Sequence, residues 1–299
     1  MIKNLAFKGG GVKGIAYVGA LQELEAAQML QGVERIAGTS AGALMGGLIC
    51  AGYSTSEIKN IMLDIKFKQF ESGFNFFRIF SKYGIFSGDY ILNFIHDFMN
   101  HSPKKLGSNP TFRDMENAGC KKLYVFACNV SKHTIDEFSF DKTPDVIVAE
   151  AIRASMSIPF FFKAWKFPNT NSDDNIYVDG GVVFNYPLSF FDSRRFNSSG
   201  EINFESLGLY LHAKQKHPKA PLTFSTPLHF TKRLFESLME TQDFEMHEDV
   251  DVMQRTIIID DLNIPATDFH LSKDKMMQLL ESGAACTKAY INSIQELQK

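Results

Sequence analysis

Gly38-Thr39-Ser40-Ala41-Gly42 sets a hydroxyl between two glycines, the spacing of a G-x-S-x-G nucleophile elbow. Arg35-Ile36-Ala37 ahead of it reads as a strand end, and the small, apolar Ala43 to Ala51 behind it suits a buried helix. On so sharp a turn a Cβ two residues either side of the serine would strike neighbouring backbone, which glycine avoids. Ser40 would stand at a helix N-terminus, where free N–H groups and the helix dipole favour developing negative charge. The chemistry this permits is acyl transfer through a serine, which also needs a proton acceptor and donors for an oxyanion. An ordinary strand-to-helix turn can carry the same five residues, so the partners decide.

Donors are offered by Gly9-Gly10-Gly11-Val12-Lys13-Gly14, which can present consecutive backbone N–H groups with no side chain in the way. Two nucleotide readings compete for this run. A P-loop would continue with Lys and Ser or Thr, but Ile15-Ala16 follow Gly14. A dinucleotide fingerprint fits Gly9, Gly11 and Gly14 formally, yet the acidic residue it needs on a second strand is missing. For the proton acceptor, the eight histidines (His96, His101, His133, His212, His217, His229, His247, His270) mostly occupy polar, turn-like surroundings. Asp179-Gly180-Gly181 ends a short apolar strand, which puts an acid toward the same sheet edge as the elbow. By itself it is a turn signal.

The elements that must hold these residues alternate. Asn4 to Lys8 reads as a first strand, followed by a helix with Ile15, Val18, Leu21 and Leu24 at helical spacing. Ser54-Thr55-Ser56-Glu57 fits a capping box, and Thr111-Phe112-Arg113-Asp114 is a looser version. Lys122 to Asn129 reads as a buried strand with a hairpin partner at Thr134 to Phe140, Asp145 to Ala154 as a helix and Ile176 to Val178 as a strand. Leu207 to Leu211 and Arg255 to Ile259 are further strands, with helices at Leu228 to Glu245 and Ser272 to Glu296. Asn169 to Asn175 and Asn197 to Asn203 read as surface loops. This alternation predicts an α/β fold, a three-layer α/β/α sandwich around a mainly parallel sheet. The expectation is a single domain over 1–299.

Composition removes several classes. A net charge of −3 and no long Lys/Arg run argue against a nucleic-acid partner. No signal-peptide pattern opens the chain, and no segment approaches the roughly 18 uninterrupted apolar residues of a membrane span. The four cysteines are scattered without a C-x-x-C pair, and there is no calcium-loop pattern, so neither zinc, calcium nor a disulfide framework is expected. The expected location is cytoplasmic with peripheral membrane association, with signal-less delivery outside the cell also compatible. The 28 phenylalanines crowd at Phe70 to Phe80 and Phe160 to Phe167. They fit an aromatic core or an apolar mouth on a bilayer surface, with Phe70 to Phe80 the candidate lid or membrane edge.

Taken together, the glycine run, the elbow, Asp179-Gly180-Gly181 and the block Ala151-Ile152-Arg153-Ala154-Ser155-Met156-Ser157-Ile158-Pro159-Phe160, with its Arg-Ala-Ser-x-Ser-x-Pro pattern from Arg153 to Pro159, resemble the patatin-like phospholipases over about residues 5–195. Residues 196–299 would then pack on that region, and Ile264 to Phe269 is similar to the C-terminal part of bacterial members. Lys8, where plant members often carry Asp, points to a bacterial-type subgroup. The resemblance implies a catalytic domain like that of patatin and cytosolic phospholipase A2, and a Ser40–Asp179 dyad without histidine. It implies an oxyanion hole from Gly9, Gly10, Gly11 and Val12, with Gly14, Gly38, Gly42, Gly180 and Gly181 as supporting glycines. Lys13 and Arg153 are candidates to meet a lipid phosphate, with a salt bridge as the competing role. The implied activity is serine hydrolysis of fatty-acyl esters of phospholipids or lysophospholipids, without cofactor or metal, at a membrane surface and with room for an unidentified activator. Acyl transfer to another nucleophile, thioester cleavage, or lipid or partner binding with little turnover are the alternatives.

Overall fold

The computed structural model describes residues 1–168, 175–213 and 227–297. The Asn169–Asn175 loop and His217 fall outside them, apart from Asn175. In chain order the elements are β1 (Asn4–Phe7), α1 (Ala16–Ala26), β2 (Arg35–Thr39), α2 (Ala41–Cys50), α3 (Thr55–Asp64), α4 (Arg78–Lys82) and β3 (Gly84–Phe86). Next come α5 (Asp89–Asn100), α6 (Phe112–Asn117), β4 (Lys122–Asn129), β5 (Thr134–Phe138), α7 (Val148–Ser155), β6 (Phe160–Phe162) and β7 (Tyr177–Asp179). The chain continues with β8 (Ser206–His212), α8 (Pro227–Glu248), α9 (Val250–Gln254), β9 (Thr256–Asp260) and α10 (Lys273–Leu297).

Seven strands form one sheet in the order β5-β4-β2-β1-β8-β9, with β7 also on β4. The pairs from β4 through β2, β1 and β8 to β9 are parallel, and only β5 and β7 run antiparallel to β4. The fold is therefore mixed α/β with a mainly parallel central sheet. Period-two alternation sends Leu5, Phe7, Ile36, Val125 and Leu209 into the main core with α1, α2, α7 and α10. Ala6, Ala37, Tyr124 and Phe126 face the other way, where Leu188, Phe190, Phe191 and Phe196 cover them. Among the described residues, that second face is covered by a tight turn at Ser189–Asp192 and by Val252 of the short α9.

Both capping boxes form: Ser54 with Glu57 starts α3, and Thr111 with Asp114 starts α6. Five elements, α4, β3, α5, β6 and α9, lie outside the sequence expectations. Helix α5 buries Ile91, Ile95, Phe98 and Met99, and β3 pairs with β6 in a separate two-stranded parallel sheet. That second sheet divides the phenylalanines. Phe161 and Phe162 are fully buried and stack with Phe70, Phe86 and Phe269, whereas Phe74, Phe76, Phe77 and Phe80 stay exposed.

Helices α1 and α10 touch through facing glycines. A Cβ on Gly19 would overlap the backbone of Leu280, and one on Gly283 would overlap the carbonyl of Ala16. Neither backbone can yield without moving a helix. Gly283→Ala is therefore expected to cost about 1–3 kcal/mol of folding stability, read as a lowered urea midpoint, while an alanine on the exposed side of α10, such as Glu281→Ala, leaves it near wild type.

Candidate active site

Strand β2 ends at Thr39, and Ser40 occupies φ 53°, ψ −120° before α2 begins at Ala41. A non-glycine residue at positive φ is strained by about 1–3 kcal/mol and is held only by its surroundings. The flanking glycines permit it: a Cβ on Gly38 would collide with Gly42 O, and one on Gly42 with Phe7 O. The Ser40 N–H donates to Ser155 Oγ at 2.8 Å, and that hydroxyl donates to Phe126 O at 2.6 Å. The last residue of α7 thus ties the elbow to β4.

The register of β4 explains what meets the serine. Thr39 of β2 pairs with Phe126, and Asp179 of β7 pairs with the next residue, Ala127. Strands β2 and β7 therefore approach end to end along one edge of β4, while β5 occupies the other edge. Ser40 Oγ donates to Asp179 Oδ2 at 2.7 Å. Asp179 Oδ1 accepts the Gly181 N–H at 2.7 Å, and the Asp179 N–H donates to Ser157 O at 2.8 Å. Asp179 is fully buried, and loss of hydration raises its pKa to about 7 against the opposing pull of Ser40, Gly181 and the nearby Arg153 charge. Among the described residues no histidine hydrogen-bonds either side chain.

The glycine run lies beside this pair. A Cβ on Gly9 would sit 3.3 Å from Ser40 Cβ, and one on Gly14 would sit 3.1 Å from Ala41 Cβ. Two of its four candidate donors are already spent, since Gly9 N–H donates to Asn185 O at 3.0 Å and Val12 N–H to Ala266 O at 3.0 Å. Among the described residues nothing accepts from the N–H of Gly10 or Gly11. Gly11 has φ +57°, and Ala266 O presses so close that a Cβ there would overlap it. Gly180 is confined in the same way by Phe126 O, so the turn after Asp179 needs its glycine.

The lipid-phosphate candidates require correction. Arg153 is fully buried and donates to Gly88 O at 3.0 Å, Ser87 O at 3.2 Å and Ser157 Oγ at 2.7 Å. Its guanidinium also lies over the rings of Phe162 and Trp165. No headgroup can reach it, and its work is internal: burial lowers its pKa to about 10, which still leaves a positive charge near Asp179. Lys13 is held by Asp261 at 2.6 Å, with both side chains largely buried, which is the salt-bridge role. Sequence reasoning assigned no role to Ser155, Ser157 or Asn185, although the first two stood in the quoted Arg153 to Pro159 block. Asn185 carried no signal beyond lying shortly after the Asp179 turn.

A family model described as patatin-like phospholipase matches residues 5–192, which include Ser40, Asp179 and the glycine run. Protein YqhO of Bacillus subtilis is 29% identical over a 301-residue alignment that spans 95% of this chain and 96% of its own. A probable lipid hydrolase of Invertebrate iridescent virus 6 is 28% identical over 192 residues, 62% of each chain. The solved structure of VipD from Legionella pneumophila matches with a TM-score of 0.60 at 16% identity, over 98% of this chain and 67% of VipD. ExoU of Pseudomonas aeruginosa, solved in a heterodimer with SpcU, gives 0.58 at 17% identity, and the chain spans about half of it, 51%. Fold, motif order and the matched span agree: the chain belongs to the patatin-like phospholipase family.

Proposed function

We propose that the protein is a serine lipid acyl hydrolase, acting on fatty-acyl esters of phospholipids or lysophospholipids through a Ser40–Asp179 dyad. The observation that carries this reading is the 2.7 Å hydrogen bond from Ser40 Oγ to a fully buried Asp179. Ser40 attacks the ester carbonyl while its proton passes to Asp179 Oδ2. The unclaimed N–H groups of Gly10 and Gly11 receive the oxyanion, aided by the N-terminus of α2. Collapse breaks the ester C–O bond, Asp179 returns the proton to the leaving alcohol, and the acyl group remains on Ser40 until water removes it. A free carboxylate of pKa about 4 is a weak base for a hydroxyl, and burial supplies much of the missing basicity.

An apolar cavity of about 780 Å³ supports an acyl substrate, a size within the usual range of ligand pockets. Val178 and Val182 on its wall bracket the Asp179 turn, and Pro159, Phe160 and Leu234 continue it. Phe160 and Tyr83, both on this wall, are also half-exposed, and Tyr83 follows the exposed Phe74, Phe76, Phe77 and Phe80 in the chain. Arg78 and Lys82 lie among these rings. Aromatic and basic residues in one exposed segment suit a bilayer interface, so we assign this face to membrane contact. No helix among the described residues is long and apolar enough to cross a membrane.

Ser40→Ala and Asp179→Asn are each expected to reduce fatty-acid release from phospholipid vesicles by at least about 10³-fold while the fold is retained; mass spectrometry of the lipids decides this, and an active Asp179→Asn would remove the dyad. The acid limb of kcat/KM should fall away below about pH 7, because Asp179 must be ionised to accept the proton. The same raised pKa makes protonated Asp179 stabilising below its unfolded value near 3.8, and this stabilisation is lost as pH rises through about 7. Asp179→Asn should accordingly melt above wild type at pH 8 by more than at pH 5. Finally, Glu at Phe74, Phe76 and Phe77 together should weaken vesicle binding and vesicle hydrolysis yet spare a water-soluble short-chain ester; unchanged vesicle sedimentation would reassign the patch.

A further inference from the structure

Asn185 is 1% exposed, and neither its Nδ2 nor its Oδ1 has a hydrogen-bond partner in the protein. Leaving such a buried group unpaired is destabilising, so its presence calls for a reason. The backbone cannot swing the amide elsewhere. Its N–H donates to Gln242 Oε1 at 2.9 Å, its carbonyl accepts the Gly9 N–H at 3.0 Å, and the preceding Phe184 O accepts from Thr39 Oγ1 at 2.9 Å. With its backbone so held, the amide lies between the glycines that border the dyad. A Cβ on Gly9 would collide with Asn185 Oδ1 while lying 3.3 Å from Ser40 Cβ. One on Gly181 would lie 2.9 Å from Asn185 Oδ1 and 2.9 Å from Asp179 Oδ1.

The chemistry of the amide narrows what it serves. An oxyanion only accepts hydrogen bonds and would leave Oδ1 orphaned, whereas both ends of this amide are unfilled. The matching partner both donates and accepts, and beside a serine nucleophile and its base that partner is water. We propose that the Asn185 side chain binds and orients the water that resolves the Ser40 acyl-enzyme, an inference that rests on the hydrolase reading above. One water proton is held by Asn185 Oδ1 and the other passes to Asp179 as the water oxygen bonds to the acyl carbon. Collapse then breaks the bond from that carbon to Ser40 Oγ, the proton on Asp179 returns to Oγ, and the fatty acid departs.

Asn185→Leu keeps the branching of the side chain and removes both polar ends, so the full-length variant should melt no lower than wild type. With a p-nitrophenyl ester, steady-state turnover should fall on the order of 10²-fold, while fluorophosphonate labelling of Ser40 proceeds at the wild-type rate. Intact-protein mass spectrometry should show acyl-Ser40 accumulating, and added hydroxylamine, a small nucleophile that needs no positioned water, should restore release. Asn185→Ser, which retains a donor and an acceptor, should recover part of the turnover. Unchanged turnover, or labelling that falls in step with turnover and no acyl-enzyme build-up, overturns the inference and returns the amide to acylation or packing. A rate loss that appears only as a raised KM for lipids with a free glycerol hydroxyl would give it to substrate instead. If wild-type Ser40 itself is never acylated or labelled, the hydrolase reading fails first, and that result is distinct from all of these.

Discussion

Strand β4 has eight residues and its neighbour β2 has five, so the carboxyl-terminal part of one β4 edge is left open where β2 stops. Unpaired strand edges must be satisfied, and β7 fills this one from the opposite direction. Two strands that meet head-on along a shared partner bring their last side chains together. Here those are a serine just past one strand and an aspartate ending the other, with backbone positions fixed by the bonds of β4. The end of α7 fastens the junction, through Ser155 Oγ to Ser40 N–H and through Ser157 O to Asp179 N–H. Side chains placed on sheet and helix ends are held more tightly than ones on loops.

That placement also sets the electrostatics. A carboxylate taken out of water becomes more basic, and taken too far it would stay protonated and useless near neutrality. Arg153 opposes the drift with a charge in the same interior, and it has no carboxylate among its own hydrogen bonds. Carbonyls, a serine hydroxyl and two aromatic faces hold it instead, and Gly88, at φ +68°, makes room where any Cβ would overlap the guanidinium. The balance leaves the Asp179 pKa at about 7, in the range an unperturbed imidazole occupies.

Features whose physics is local were legible in the sequence. Gly38 and Gly42 are demanded by the turn they flank, and the capping boxes at Ser54 and Thr111 close within their own first turns. Alternating strands and helices were enough for a mainly parallel sheet. What depends on register was not legible from the residues themselves. That Asp179 lies one position beyond Thr39 on β4 follows from pairings between distant segments: the residues suggested only a shared sheet edge, the family resemblance added the pairing with Ser40, and neither showed that β7 runs antiparallel. The glycine run offered four donors, but which N–H groups remain unclaimed is decided by Asn185 and Ala266, far along the chain. Arg153 misled because a cation in a motif reads as a ligand contact until burial shows it facing inward.

The hold of Ala266 on Val12 and Gly11 has a consequence in time. A ribosome releases the glycine run and the elbow first, Asp179 much later, and Ala266 later still. Until then Val12 lacks the carbonyl that accepts its N–H, and the glycine run has nothing to lean on. A chain cut short before Ala266 would hold the elbow serine beside a glycine run that lacks this support. Order of synthesis, written into which carbonyl meets which N–H, completes the support of the glycine run only once Ala266 has emerged.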